Sequence, residues 1–317
     1  MKKSTLAYVA ILLVTILWAS SLILAKIVFT EMTPIIFVAL RYSIAAPFLV
    51  LLVIASRERS RRLRNIRTDW RVLALAGITG PFLSQVLQYI GLSMTSASET
   101  LLLINMSPVF AVILAAPLIN ERITIDKVGG LLLATLGGSL IVIGGRSLDF
   151  GLEPIRILGD VIIILSTFLF AVNGIAGKVA IRAVDSVSVT AASTLIAVPF
   201  IWISAAMLED LTILAQLSVE AWIIVLWVGF VNSVIAFILY YESMKYIEAS
   251  RVQIALNLIS VWGVMMSVLV LSEAITILQI FGGTLTIIGV IIAQRYADTG
   301  TETTTNPAHD VSNPSDT

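Results

Sequence analysis

The sequence predicts an all-α integral membrane protein with ten transmembrane helices, arranged as two inverted five-helix repeats. Three observations carry this expectation. Apolar residues make up 58% of the 317-residue chain and charged residues 13%, with a mean hydropathy of +1.00. A soluble protein of this length has no interior large enough to hide so much apolar surface, so lipid is the solvent. The apolar residues fall into ten runs of roughly 20 residues, each long enough to cross a bilayer as a helix. Finally, the first half of the chain recurs in the second at one constant spacing.

In the first half the runs lie near 6–28, 33–55, 70–92, 97–119 and 126–145. In the second they lie near 156–180, 187–208, 220–243, 249–271 and 275–294. The first run, with Lys2 and Lys3 ahead of it, has the outline of a signal peptide. Its internal copy argues that it is retained: Leu6/Leu158, Thr15/Thr167, Trp18/Phe170, Ala19/Ala171 and Lys26/Lys178 match in register. The second run keeps Pro47/Pro199 and Phe48/Phe200, and the third keeps Trp70/Trp222, Gly77/Gly229 and Tyr89/Tyr241. The match is densest in the fourth and fifth, with Ala97/Ala249, Ser98/Ser250, Asn105/Asn257, Glu121/Glu273, Gly130/Gly282 and Gly137/Gly289. Even the turn repeats, as Glu-x-Ile-Thr-Ile at 121–125 and 273–277.

These matches divide the chain into a first repeat at 1–147 and a second at 148–296. The polar stretch 297–317 is expected to be a disordered cytoplasmic tail. Five spans per copy is an odd number, so tandem copies enter the membrane from opposite sides, the build in which two halves rock about a site near the midplane. Basic residues give the orientation. With the N-terminus inside, the inner segments carry Lys2, Lys3, seven arginines between Arg57 and Arg71, Arg122, Lys127, Arg182, Lys245, Arg251 and Arg295, and the outer loops carry Arg146 and Arg156. Both termini are thus expected to be cytoplasmic. The run 56–71 reads as an orientation anchor touching anionic lipid rather than as a ligand site.

Composition also narrows function. Net charge is zero, so nothing favours nucleic acid. Cysteine is absent and the single histidine, His309, lies in the tail, so no thiolate or imidazole metal site is expected. No cofactor is implied. A membrane-embedded enzyme would need a nucleophile and base or metal ligands within the spans, and the spans carry no close Asp/Glu pair. The expectation is a non-enzyme.

Polar residues inside spans are costly, so their spacing points to what they face. Ser250, Gln253, Asn257 and Ser260 follow helical steps along one face of the ninth span. Ser98, Asn105 and Pro108 answer them on the fourth. The third carries Gly77, Pro81, Ser84 and Gln88 with Gln85 beside them, and the eighth carries Gly229, Ser233, Ala236 and Tyr240. Trp18/Ser21 and Phe170/Asn173 complete the set. The lone serines read as interhelical hydrogen bonds. Asn105 and Asn257 fit symmetric structural glue and ligand contact equally. Gln85, Gln88, Asn173 and Gln253 lack identical partners in the other half and lean to substrate contact. Trp18 and Tyr240 are the aromatic candidates because each sits on a polar stripe.

Arg41 lies roughly 12 Å into the second span, counted from Thr33 at about 1.5 Å per residue. Its counterpart is Ser193, so the repeat does not demand a cation there. The functional reading is a counter-charge for an anionic substrate group such as a carboxylate; the competing reading is snorkelling to the outer interface. Lys26 and Lys178 are mirrored near opposite membrane faces, as gates or as interfacial anchors. Thr124 and Thr276 are expected helix caps, with Glu121 and Glu273 closing the turns before them. The small residues of the fifth and tenth spans, Gly130, Ala134 and Gly138 and then Gly282, Gly283 and Gly289, mark scaffold or homodimer surface. Glu99 and Glu242 lie near span ends, which leaves proton coupling and facilitated exchange both open.

On these residues the chain resembles the EamA-like family of the drug/metabolite transporter superfamily over roughly 6–294. The resemblance rests on Trp18-Ala19-Ser20-Ser21 with Lys26, on Pro34 followed by Arg41, on Ala97-Ser98 with Pro108 and Glu121, and on Ala249-Ser250, Glu273, Gln279, Gly282 and Gly289. It implies a secondary transporter that exports small metabolites, amino acids or related compounds, across the plasma membrane by alternating access. A multidrug or lipid-related transporter of the same superfamily and a non-transporting scaffold are the alternatives. Two positions depart from the pattern. Ser260 stands where the second repeat often has the proline matched by Pro108, so kinking is expected to be asymmetric, and Asn173 replaces a small residue.

Overall fold

The computed structural model describes residues 3–94, 97–145, 154–271 and 275–295, apart from the side chains at 22, 26, 97–99, 101, 145, 267, 268, 270 and 271. The tail at 297–317 and the Lys26, Glu99 and Glu273 side chains therefore lie outside the described residues. Those residues contain ten helices long and apolar enough to span a membrane. They are Lys3–Ala25, Pro34–Ile54, Trp70–Met94, Leu102–Ile119, Ile125–Gly144, Pro154–Ala180, Ser186–Leu208, Val219–Ser243, Ala249–Met266 and Ile277–Gln294. Leu51, Ile113, Leu132, Ile223 and Phe281, among many others, turn outward. In water this would be an aggregating surface; in lipid it is the solvated face.

Two spans are broken and two are widened, at matching places in the halves. The fourth is interrupted between Ala97–Ile104 and Ser107–Ile119, and the ninth between Ala249–Ala255 and Leu258–Leu271. In the third, Ile78–Ser84 is π-helical, as is Val228–Ile235 in the eighth. The expected asymmetry at Ser260 is therefore corrected, because the ninth span breaks without a proline. Each break is made by backbone bonds three residues back: Met106 N to Leu103 O at 3.1 Å, and Leu256 N to Gln253 O at 3.1 Å. Such 3₁₀-type bonds tighten the chain locally whatever the side chain.

Glycines set the closest approaches. A Cβ on Gly137 would sit 2.4 Å from Thr286 N, and one on Gly289 2.4 Å from Ala134 N. Gly130, Ala134, Gly282 and Gly289 of the small-residue edges are thus spent on packing the fifth span against the tenth, whereas Gly138 faces Asn105 and Gly283 has no neighbour within 4 Å of a Cβ. Gly77 lies on the backbone of Ser193 just as Gly229 lies on that of Arg41, the same contact with the halves exchanged. Thr124 and Thr276 cap the fifth and tenth spans, accepting from Lys127 N and Gln279 N at 3.2 Å each. The turn before Thr124 opens at Asn120, whose φ of 57° lies in the left-handed region that asparagine tolerates.

We call the membrane face holding the basic connectors the basic face. There the amphipathic helix Arg59–Thr68 joins the second and third spans, with Asn65 Nδ2 donating to Ala183 O at 3.0 Å. At the opposite face Glu31 accepts from Ser218 N and Ser218 Oγ, both at 2.8 Å, and so steadies the start of the eighth span. These hydrogen bonds hold the Glu31 carboxyl below its ordinary value. A lowered pKa stabilises the fold above the unfolded value, and that stabilisation is lost as pH falls through the folded value. Glu31→Gln is accordingly expected to flatten the melting-temperature profile below about pH 4.5, measured by thermal unfolding in detergent. An unchanged acid limb would remove Glu31 from this role.

Candidate functional site

A cavity of about 120 Å³ lies among spans from both halves. It takes Trp18 and Ser21 from the first span, Arg41 from the second, and Ser84, Gln85, Gln88 and Tyr89 from the third. Asn105, Ser107 and Pro108 come from the break in the fourth, and Leu256, Asn257 and Ser260 from the break in the ninth. Ser166, Thr167 and Phe170 of the sixth and Phe237 of the eighth add to the lining, with Ile104 and Ile259 beside the two breaks. Helix breaks free backbone and turn short polar side chains inward, the construction by which transporters build midplane sites.

Two chemistries share this wall. On one side Arg41, 4% exposed, donates from Nε to Ser233 Oγ at 2.9 Å and from a terminal nitrogen to Gln85 Oε1 at 3.4 Å. Gln85 Nε2 in turn reaches Gln88 Oε1 at 3.4 Å. Among the described residues no acid pairs with Arg41. On the other side Ser260 Oγ donates to Asn105 Oδ1 at 3.2 Å. Asn105 Nδ2, both amide atoms of Asn257, and the Ser84, Ser107 and Thr167 hydroxyls are buried without a hydrogen-bond partner in the protein. Unpaired buried polar groups cost about 1–3 kcal/mol each, so six along one cavity wall mark a place built for something other than packing.

Trp18, Arg41, Gln85, Gln88, Asn105 and Asn257 thus line one cavity. Asn173, Tyr240 and Gln253, expected to contact substrate, are not among the residues that line it. All three are fully buried toward the basic face. Asn173 Nδ2 donates to Ala76 O at 2.8 Å and to Tyr241 Oη at 3.1 Å, while Gln253 Nε2 donates to Tyr240 Oη at 3.0 Å. Tyr240 lies 5.3 Å from Trp18 and 5.2 Å from Tyr241, ring centre to ring centre. Aromatic packing and buried amides, with Gln253 Oε1 left unpartnered, make this layer a plug beneath the cavity.

Below the plug the basic face is closed by charges that cross between the halves. Glu121 accepts from Ala249 N at 2.6 Å, from Ser250 N at 3.1 Å and from the Ser250 hydroxyl. Lys127, 1% exposed, lies 3.0 Å from Glu248 and 3.8 Å from Glu121. Glu248 also pairs with Arg251 at 2.6 Å, and Arg251 donates to Ala293 O. Burial pushes the Glu248 carboxyl up, but the hydrogen bonds and charges of Arg251 and Lys127 outweigh it and hold the group below its ordinary value. Lys178 donates to Met244 O and, at 2.8 Å, to Ile247 O, so it lies on this seam. Glu242, the other acid considered for coupling, is held by Lys245 and Ser186 at 2.6 and 2.5 Å.

Sequence reasoning passed over Phe237 and Tyr89 as site residues, gave Lys127 no role beyond orientation and gave Glu248 none. The repeat carried a signal for the first two. Phe237 is the counterpart of Gln85, and Tyr89 that of Tyr241. No comparable signal marks Glu248, whose partners come together only in the fold.

A cavity at helix breaks, edged by polar side chains from both halves, closed on one side and wrapped in lipid-facing helices, defines a multi-pass membrane protein of the transporter class. The model of the EamA-like transporter family matches residues 5–143 and again 157–294, and the chain belongs to that family. It is 25% identical over 291 residues to an uncharacterized Bacillus subtilis transporter, YyaM, covering 90% of this chain and 92% of the relative. An uncharacterized transporter of Archaeoglobus fulgidus is 27% identical over 284 residues, covering 88% and 94%. An S-adenosylmethionine/S-adenosylhomocysteine transporter of Chlamydia trachomatis is 28% identical over 144 residues, 45% of this chain and 43% of the relative. One crystal structure aligns with a TM-score of 0.75 at 21% identity, covering 92% of this chain and 96% of the other, a likeness of fold.

Proposed function

We propose that the protein is a secondary transporter that exports small metabolites, amino acids or related compounds, across the plasma membrane by alternating access. Both termini lie in the cytoplasm, and the repeats 1–147 and 148–296 are inverted with respect to one another. The observation that carries the reading is the pair of asparagines at the two helix breaks, Asn105 and Asn257, with amide atoms left unpartnered in a cavity lined from both halves. Substrate binds there, and the halves rock so that the plug and the charged seam at the basic face open as the far side closes. The described spans carry no acid on the cavity wall, so exchange or facilitated diffusion needs no further residue, whereas proton antiport would rely on an acid at a span end.

Counterflow in proteoliposomes with a panel of labelled amino acids and related metabolites tests this. Asn257→Ala removes two polar atoms that bond nothing in the protein, so melting temperature is expected to hold or rise while exchange falls at least tenfold. Thr167→Trp, which fills the cavity, is expected to abolish exchange. Unchanged exchange in both variants would refute the location, and no saturable flux for any compound would favour the scaffold reading.

A further inference from the structure

The cavity carries one formal charge among the described residues that line it, and that charge is Arg41. The guanidinium has five N–H donors; Ser233 and Gln85 engage two, and Tyr89 is a further hydrogen-bonding neighbour. Its fork matches a carboxylate. The repeat does not require a cation here. At the repeat-equivalent position Ser193 bonds its own helix, donating to Val189 O at 2.8 Å and Thr190 O at 3.1 Å. The rest of the polar wall is neutral: Asn105 Nδ2, both amide atoms of Asn257 and the Thr167 hydroxyl, all buried and unpartnered.

We infer that the substrate is a net-anionic organic acid, with a carboxylate held by Arg41 and uncharged hydroxyl or oxo groups held by Asn105, Asn257 and Thr167. This rests on the reading of the cavity as the transport site and narrows its substrate class. A zwitterion satisfies Arg41 equally but leaves an ammonium with no acid on the wall, in a medium that penalises an unpaired charge. The Trp18 face does not supply the missing partner. Trp18 is already packed by Phe237, Tyr240 and Phe170 at 5.1, 5.3 and 5.9 Å, so its ring is spent on other rings. A permanent cation meets Arg41 with no compensation.

Matched pairs that differ by one group test this directly. Wild-type protein in proteoliposomes is assayed for counterflow of glycolate against glycine, lactate against alanine, and choline. The hydroxy acid of a pair is expected to exchange at least tenfold faster than its amino counterpart, and choline not to exchange. Arg41→Lys should keep the anion preference with weaker apparent affinity, and Arg41→Gln should lose it. If Arg41→Gln does not fold, the wild-type pair ratios decide alone. Preference for glycine, alanine or choline, or an unaltered anion preference in Arg41→Gln, overturns the charge assignment and leaves the transport reading standing. No exchange of any of the five compounds overturns the assignment; whether transport falls with it is read from the wider panel and the Asn257→Ala and Thr167→Trp variants.

Discussion

Lys127→Met is expected to spring the seal at the basic face. The lysine is buried and sits between Glu248 and Glu121, and it also donates to Arg122 O at 2.7 Å. Removing the cation leaves two carboxylates sharing one seam. Breaking a buried ion pair costs about 3–5 kcal/mol, and the low end applies because Glu248 remains partly exposed. Roughly 3 kcal/mol is about a hundredfold shift in the balance between closed and open. The chain has no cysteine, so a single Gln253→Cys in the plug reports without background. In the Lys127→Met background its reaction with an impermeant thiol reagent at the basic face should speed up by roughly that factor. Acid acts in the same direction. The lowered pKa of Glu248 contributes closure above its ordinary value, and this is lost as pH falls through the folded value. An equal labelling rate with and without Lys127 would show that the seam does not hold the gate.

Gly137→Leu should separate the fifth and tenth spans and cost most of the folded yield. A Cβ there would lie 2.4 Å from Thr286 N and 2.5 Å from Gly282 O, both within a facing helix, so no rotamer relieves the clash. Overpacking costs about 1–3 kcal/mol where side chains can yield, and here backbone must move. Gly129 provides the control, since nothing lies within 4 Å of a Cβ built on it. Gly129→Ala should hold or gain stability, by up to about 1 kcal/mol from helix propensity. Melting curves in detergent and size-exclusion profiles of the three proteins check the pair. Similar behaviour of Gly137→Leu and Gly129→Ala would mean that the two spans do not pack as described.

Much of this was legible in the residues. Arg41 stood out because a charge in an apolar run is costly and its counterpart is serine, and the structure places it on the cavity wall. Gln85, Gln88 and Asn105 were reached by helical spacing. The same spacing misled for Gln253 and Asn173, because a polar stripe continues past a cavity into the packing below it. A helical wheel gives direction but not depth. Tyr240 failed for the same reason, lying one layer under the aromatic ring of Trp18.

By itself the sequence determined the number of spans, their membrane environment and the correspondence between halves. Those follow from composition and from a fixed period, which are local or self-referential quantities. Only the tertiary structure decided that both the fourth and ninth spans break, with or without proline, that the glycine edges face one another, and that Lys127 meets Glu248. These depend on which helix faces which across distances that no local pattern encodes, and on backbone bonds that any side chain can accompany.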